Sequence, residues 1–416
     1  MSPTTDIRCD PLSDYAAHFH AALGPGHRVA SPLGAYMLLA LIAPFATGND
    51  RTELERALGC GAAEAAEFAA SLLEIPHPAI HQAVAMWSRE AFLGDDLRRW
   101  RDALSLAVER GAIPAQAVAD EWARQATNDQ IDRFPVTLDP NCVLLLASAL
   151  AVSGKWQQPL WSEPAWRLGK CPWAQEIKEV FQIHPPGDRA IVSTRSAGLV
   201  GAAILETEEE FQVISVIGEA GLPHDRVIAA AHEVARLVSG LESPAEFCSL
   251  FDLPLAVGPA WEIEEQEIPS IHPDQRFENA IAYLPAWSVD GAVIDLLKNA
   301  AYGFSAAANA LIAGLIPIPE GYSAEAAQRT IAKFDRFGFS AASVTAIAIM
   351  AGAAGPGRTE LNHTARSRTA TVRFSRPFAV VAVAGSSKKP HPWRGVPVFS
   401  AWVTRPGNPE PDRMFD

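Results

Sequence analysis

Cysteine is scarce in this chain of 416 residues: five positions (Cys9, Cys60, Cys142, Cys171, Cys248), an odd number with no C-x-x-C pair. That spacing excludes a cysteine-based zinc site and a disulfide framework, leaves at least one thiol reduced, and favours a reducing compartment. Basic charge is also short, with 34 Lys and Arg against 48 Asp and Glu and a net charge of −14. Such a balance argues against a nucleic-acid partner, which needs a basic surface to displace phosphate counterions. Residues 1–10 have neither the basic start nor the apolar core of a secretory signal. The expectation is therefore a cytoplasmic location, with export by another route left open. G-x-S-x-G, H-E-x-x-H, the P-loop and G-x-G-x-x-G are missing as well. His77 and His81 lie four apart, but Pro76 and Pro78 prevent the helix that would aim both at one ion. No metal, no cofactor and no catalytic residue is expected.

What is present is a core-forming composition, 49% hydrophobic, with charge unevenly spread. Residues 351–416 carry a local +6, which leaves −20 for the remainder. The acidic runs at 206–210 and 262–267 read as solvated faces. Residues 337–357 contain no charge at all, a length that meets the threshold of about 18 for a membrane span. Alanine dominates that window, however, and Ser340, Ser343 and Thr345 interrupt it, so no membrane partner is expected.

Helical signals come first. Ser13 is a candidate cap for a helix closing at Gly24, Ser31-Pro32 opens another over 33–43, and 52–58 and 120–130 show helical periodicity. Residues 80–87 and 142–152 are apolar runs bounded by turns, as buried strands are. Strand signals dominate later, at 198–205, 211–217, 370–383 and 397–403. Helices early and strands late predict an α+β fold.

Several spaced segments, in one order along nearly the whole chain, resemble the serpin family. Ser31-Pro32 is followed by Gly48, Thr52 and Leu58-Gly59. Trp122, Thr127 and Ile131 keep matching offsets, and Gly154-Lys155-Trp156 with Pro159-Leu160 is similar to the serpin Gly-Lys-Trp-x-x-Pro-Phe. Phe374 with Pro377-Phe378, then Pro397-Val398-Phe399, is similar to the family's closing strands. The segment 161–283 matches poorly. The resemblance implies one α+β domain over 1–416, with three sheets, about nine helices and an exposed reactive loop at about 337–371. It implies a monomeric inhibitor, not an enzyme, whose loop is cleaved by a serine (or cysteine) protease. The loop then inserts as a new central strand and drags the acyl-enzyme with it. Fifteen inserted residues would carry the protease about 50 Å.

In that family the hinge pattern is an acidic residue, x, Gly, a small residue, x, then a run of Ala, Ser and Thr. Here it corresponds to Asp335, Arg336, Phe337, Gly338, Phe339, Ser340, Ala341, Ala342, Ser343, Val344 and Thr345. The family's count places the reactive bond at Gly352-Ala353, with Met350 and Ala351 close by and Arg358 as the alternative. An insertable strand needs alternate side chains that can be buried, no proline and no inward charge. Phe339, Ala341, Ser343, Thr345, Ile347 and Ile349 form one such face, and the first proline is Pro356.

Four departures bear on inhibition. Arg336 stands at the family's glutamate and Ala286 at its lysine partner. Phe339 is bulky where small residues allow fast insertion. Among the shutter and breach positions Ser31, Ser148, Trp156 and Gln328, Gln328 replaces the family's histidine and Gly34 its second serine, and Ser31 and Ser148 are expected to hydrogen-bond across the sheet opening. The stretch from Gly338 to Phe374 is about a dozen residues longer than usual, a surplus containing Arg358, Arg366 and Arg368. A reactive bond at Gly352 favours an elastase- or subtilisin-like target over a trypsin-like one. The alternative function is a non-inhibitory serpin-fold protein that binds a ligand or partner or has a metabolic role.

Overall fold

The computed structural model describes residues 10–129, 131–257, 260–270, 275–290, 293–316, 326–340, 363–385 and 391–408. The helices used below are α1 (Asp10–Ala22), α2 (Pro32–Ile42), α3 (Gln116–Ala126), α4 (His224–Val238) and α5 (Phe304–Ala313). The strands are β1 (Ile80–Ser88), β2 (Leu144–Lys155), β3 (Glu179–Ile183), β4 (Gly198–Glu206), β5 (Phe211–Ile217), β6 (Trp261–Ser270) and β7 (Arg276–Leu284). They continue with β8 (Trp287–Asp290), β9 (Ile331–Asp335), β10 (Gly338–Ser340), β11 (His363–Arg373), β12 (Phe378–Ala384) and β13 (Pro397–Val403). Among the described residues there are nine α-helices and three large sheets of seven, six and six strands, so the fold is α+β.

The seven-stranded sheet runs antiparallel through β13, β12, β5 and β4. Every residue of β5, β12 and β13 is buried. One face packs on the main core and the other on α4, which explains Val, Ile and Ala runs with no polar alternation. The first six-stranded sheet includes β6, β11, β7 and β3 in that order, with β11 antiparallel to β6 and parallel to β7. The second includes β8, β9, β10, β2 and β1. Helix α2, buried along its whole length, lies behind β2, and α3 packs on the other face through Ala119 and Ala123 against Leu145 and Ala147. Ser31 Oγ accepts the Gly34 N–H and Pro32 takes the first helical position, as its sequence signature indicated.

Other expectations are corrected. Ser13 does not cap α1: the helix starts at Asp10 and Ser13 is buried inside it. The apolar run 370–383 is two strands, because Pro377 cannot donate to a ladder and β11 ends before it. Residues 363–371, expected in an exposed loop, pair with β6 within β11, and from Arg366 onward, Arg368 included, they pair with β7 as well. At the other end, 338–340 form β10, so the expected loop of 337–371 is shortened from both directions. No helix among the described residues is long and apolar enough to cross a membrane.

Candidate functional site

After β9 the chain turns at Arg336-Phe337 and returns as β10 between β9 and β2, antiparallel to both. The register pairs Gly338 with Lys155, Phe339 with Gly154 and Ser340 with Ser153. Glycine is required at 338, since a Cβ there would lie 2.4 Å from the Gly154 carbonyl oxygen. Gly154 is equally constrained, because its Cβ would meet Thr207 at 2.5 Å. Small backbone on both strands therefore lets β10 approach β2 closely.

Phe339 fills the space that this approach encloses. It is 3% exposed and stacks on Phe211 at 6.1 Å, with Trp287 at 6.2 Å. Trp287 in turn stacks on Phe334, which meets Trp156 at 5.3 Å and Phe181 at 6.0 Å. Trp156 also ties the turn down: its indole N–H donates to the Asp335 carbonyl and its backbone N–H to the Phe337 carbonyl. Leu160 N–H donates to the Arg336 carbonyl. The bulk of Phe339, expected to hinder insertion, is already housed. Arg336 lies over the Phe337 ring at 5.6 Å. In place of the family's ion pair, Lys333 pairs with Asp335 at 3.2 Å, and Ala286 accepts a backbone hydrogen bond from Gly407.

Below Ser340 the geometry changes. From Leu144 to Val152, β2 pairs with β1 on one edge and has no partner strand on the other among the described residues. The second wall of this slot is formed by Ala326–Thr330, below β9. Inside it lies an apolar cavity of about 240 Å³, lined by Leu38, Leu144, Leu146, Leu296, Phe304 and Leu311. At mid-height, Gln328 on this wall reaches Ser31 at the cap of α2. Its Oε1 accepts the Ser31 N–H at 3.0 Å and its Nε2 donates to the Ser31 carbonyl at 2.8 Å. Ser31 Oγ donates to Val398 and Ser148 Oγ to Gly34, so the two serines bind α2 and β13 rather than each other. A glutamine thus serves both hydrogen-bonding groups of one residue in the shutter position.

Strand β11, which begins after residue 362, is held by charge. Acidic β6 pairs with basic β11 in ten register positions. Arg368 binds Glu265 at 2.7 Å and donates to the carbonyls of Leu250 and Leu253, and Arg373 binds Glu262 at 2.8 Å. The arginines lower the pKa of Glu265, chiefly through the Arg368 hydrogen bond. Arg276, Arg366 and Arg368 also surround the Phe251 ring at 5.1, 5.6 and 4.8 Å. The run 262–267, expected to be a solvated face, is in part an ion-pairing strand edge.

Ala341, Ala342, Ser343, Val344, Thr345, Met350, Ala351, Gly352, Ala353 and Arg358 lie outside the described residues. The aromatic cup of Phe181, Phe211, Trp287 and Phe334 was not singled out from the sequence. Its one local signal is the small-large pair Gly338-Phe339, opposite Gly154. No group of three or more metal-binding side chains occurs among the described residues.

No protein-family model matches the sequence, and no curated protein matches it significantly. Solved structures do. The chain is similar to a native thermophilic serpin, tengpin, with a TM-score of 0.59 and 14% identity, over 95% of this chain and 93% of that one. The fold is that of the serpins. A serpin of the insect Tenebrio molitor, described as highly specific, aligns at a TM-score of 0.57 and 13% identity over 98% and 100% of the two chains. Thyroxine-binding globulin in complex with thyroxine aligns equally well, at 0.57 and 13% over 97% and 99%. At these identities the likeness establishes the serpin fold, which a Manduca sexta serine protease inhibitor and the thyroxine-binding globulin share. Within that fold β10 occupies the top of the slot between β2 and β9, and β11 begins after the undescribed residues 341–362.

Proposed function

We propose that the protein inhibits a serine-type endopeptidase by cleavage and insertion of the loop that leaves β10. The register of β10 carries this reading. Continued along β2, it sets residues 341–349 opposite Val152 to Leu144, the edge without a partner among the described residues. Ala341, Ser343, Thr345, Ile347 and Ile349 then share the face of Phe339, towards Leu38 and Leu146, and the small side chains of 342–348 face α3. Twelve residues from Gly338 span about 40 Å, and three of them are already paired. The uncleaved state is a kinetic one, because insertion adds a ladder and buries the apolar slot.

The protease serine would attack the carbonyl of Gly352, its oxygen forming an ester as the Gly352–Ala353 amide bond breaks and Ala353 leaves with the proton as a free amine. Insertion must then distort the protease before water hydrolyses that ester. The small residues at the bond favour an elastase- or subtilisin-like partner. Incubation with elastase, subtilisin and trypsin, resolved on a denaturing gel, is expected to give a stable adduct with one of the first two. A large rise in melting temperature should accompany loop cleavage. Clipping by every protease with neither adduct nor rise defeats this reading.

The seated Phe339 favours a second reading. A hinge anchored in an aromatic cup suits a non-inhibitory protein with a settled sheet. That reading expects clipping and a modest thermal gain without any adduct.

A further inference from the structure

Helix α4 covers the outer face of the seven-stranded sheet, and α1 packs beside it. Each helix contributes a buried histidine. His20 on α1 is 0% exposed and shares a 2.7 Å hydrogen bond through Nδ1 with Ser400 Oγ of β13. His232 on α4 is 4% exposed. Both nitrogens of His232, and Nε2 of His20, have no hydrogen-bond partner among the described residues. Three orphaned polar atoms in one helix pair are costly and call for a reason.

The surroundings offer no countercharge. The groups that act electrostatically on His20 are His232, His224 and Arg28. His224, at the start of α4, meets the Ala21 carbonyl at 3.2 Å and the Trp402 ring at 6.1 Å. From β5 and β12 the sheet presents Ile214, Val216, Ala379, Val381 and Val383 to α4. The carboxylate next to His232, Glu233, is engaged by the backbone N–H groups of Arg195 and Ser196. Burial keeps both rings neutral, lowering each from 6.5 to about 3.

We propose that the α1–α4 seam is an acid-operated latch, in which one proton taken up by each of His20 and His232 frees α4 and bares the apolar sheet face beneath it. An imidazolium at His232 would find no acceptor, and one at His20 would have only Ser400 Oγ while facing Arg28, His224 and a charged His232. Once the seam opens, both rings regain ordinary basicity. Between about pH 6.5 and 3 the open form therefore holds up to two more protons, and its population rises by as much as a hundredfold per pH unit. The seam is tightest above pH 6.5 and loosens as pH falls.

Hydrogen exchange of the full chain between pH 7.5 and 4, corrected for intrinsic rates, tests this. Amides of α1 and α4 are expected to lose protection before those of α2 and α5, with a hydrophobic dye binding at the same midpoint. His20→Asn keeps a donor and an acceptor for Ser400, and His232→Leu fills the site. Together they should lower the midpoint by about one pH unit. An unmoved midpoint in the double variant overturns the latch. Should that variant fail to fold, the wild-type pattern decides alone: α1 and α4 opening no earlier than α2 and α5 also overturns it.

Discussion

Strands β10 and β11 bracket the same 22 residues, 341–362, and are held in opposite ways. β10 has three paired residues, one buried anchor and, beyond Ser340, a slot aligned with its own direction. β11 has neighbours on both sides, ten positions against β6 and eight against β7, with arginines bound to glutamates across the ladder. On the proposed inhibitory reading, one end would advance and the other stay. A segment fixed at its far end can join a sheet only from its near end, which would give insertion a direction.

The sharpest test of this contrast is Phe339→Ala. Removing the ring from its cup should cost about 4 kcal/mol if β10 stays seated. A loss below about 1 kcal/mol in a urea titration would mean that β10 detaches cheaply, making the two ends still more unequal. Gly338→Val comes next. Its side chain would drive into the Gly154 carbonyl, and about 3 kcal/mol or outright loss of β10 is expected, read as exchange of the 338–340 amides. At the fixed end, Arg368→Met removes the donor shared by the Leu250 and Leu253 carbonyls and the ion pair with Glu265, for about 2 kcal/mol. Exchange should quicken in β11 and β6 but not in β10. If β10 loosens with them, the two ends are coupled and the contrast fails. The smallest effect belongs to Gln328→Ala, about 1 kcal/mol, since Gln328 is itself only half-buried and water can take its place. A faster thermal gain after loop cleavage would show that the Gln328 bridge resists opening of the slot.

Much of this arrangement was legible in the sequence. Strands β5 and β13 were read to the residue, because runs buried on both faces between turns leave little ambiguity. The hinge expectation rests on the family pattern and on what insertion forbids, namely charge and proline, and all of it beyond Ser340 lies outside the described residues. The aromatic cup was not, since Phe211, Trp287 and Phe334 meet only through tertiary packing and each alone reads as ordinary core. Nor was the β6–β11 pairing. Glutamates at 262 and 265 look solvated until strands some hundred positions apart are set side by side, as Arg368 and Glu265 are. That pairing also explains the charge asymmetry: part of the basic excess of residues 351–416 lies against part of the acidic excess of the rest. The seam histidines gave no sequence signal, because burial, and not spacing, makes them unusual.

Because β11 is clasped independently of β10, the stretch between them can change length at small cost. Closing a loop grows dearer only with the logarithm of its length, about 0.6 kcal/mol per doubling. A surplus of a dozen residues is therefore nearly invisible to folding. On the proposed inhibitory reading, variation in this segment would retune the sequence offered to a protease while both anchors remain untouched.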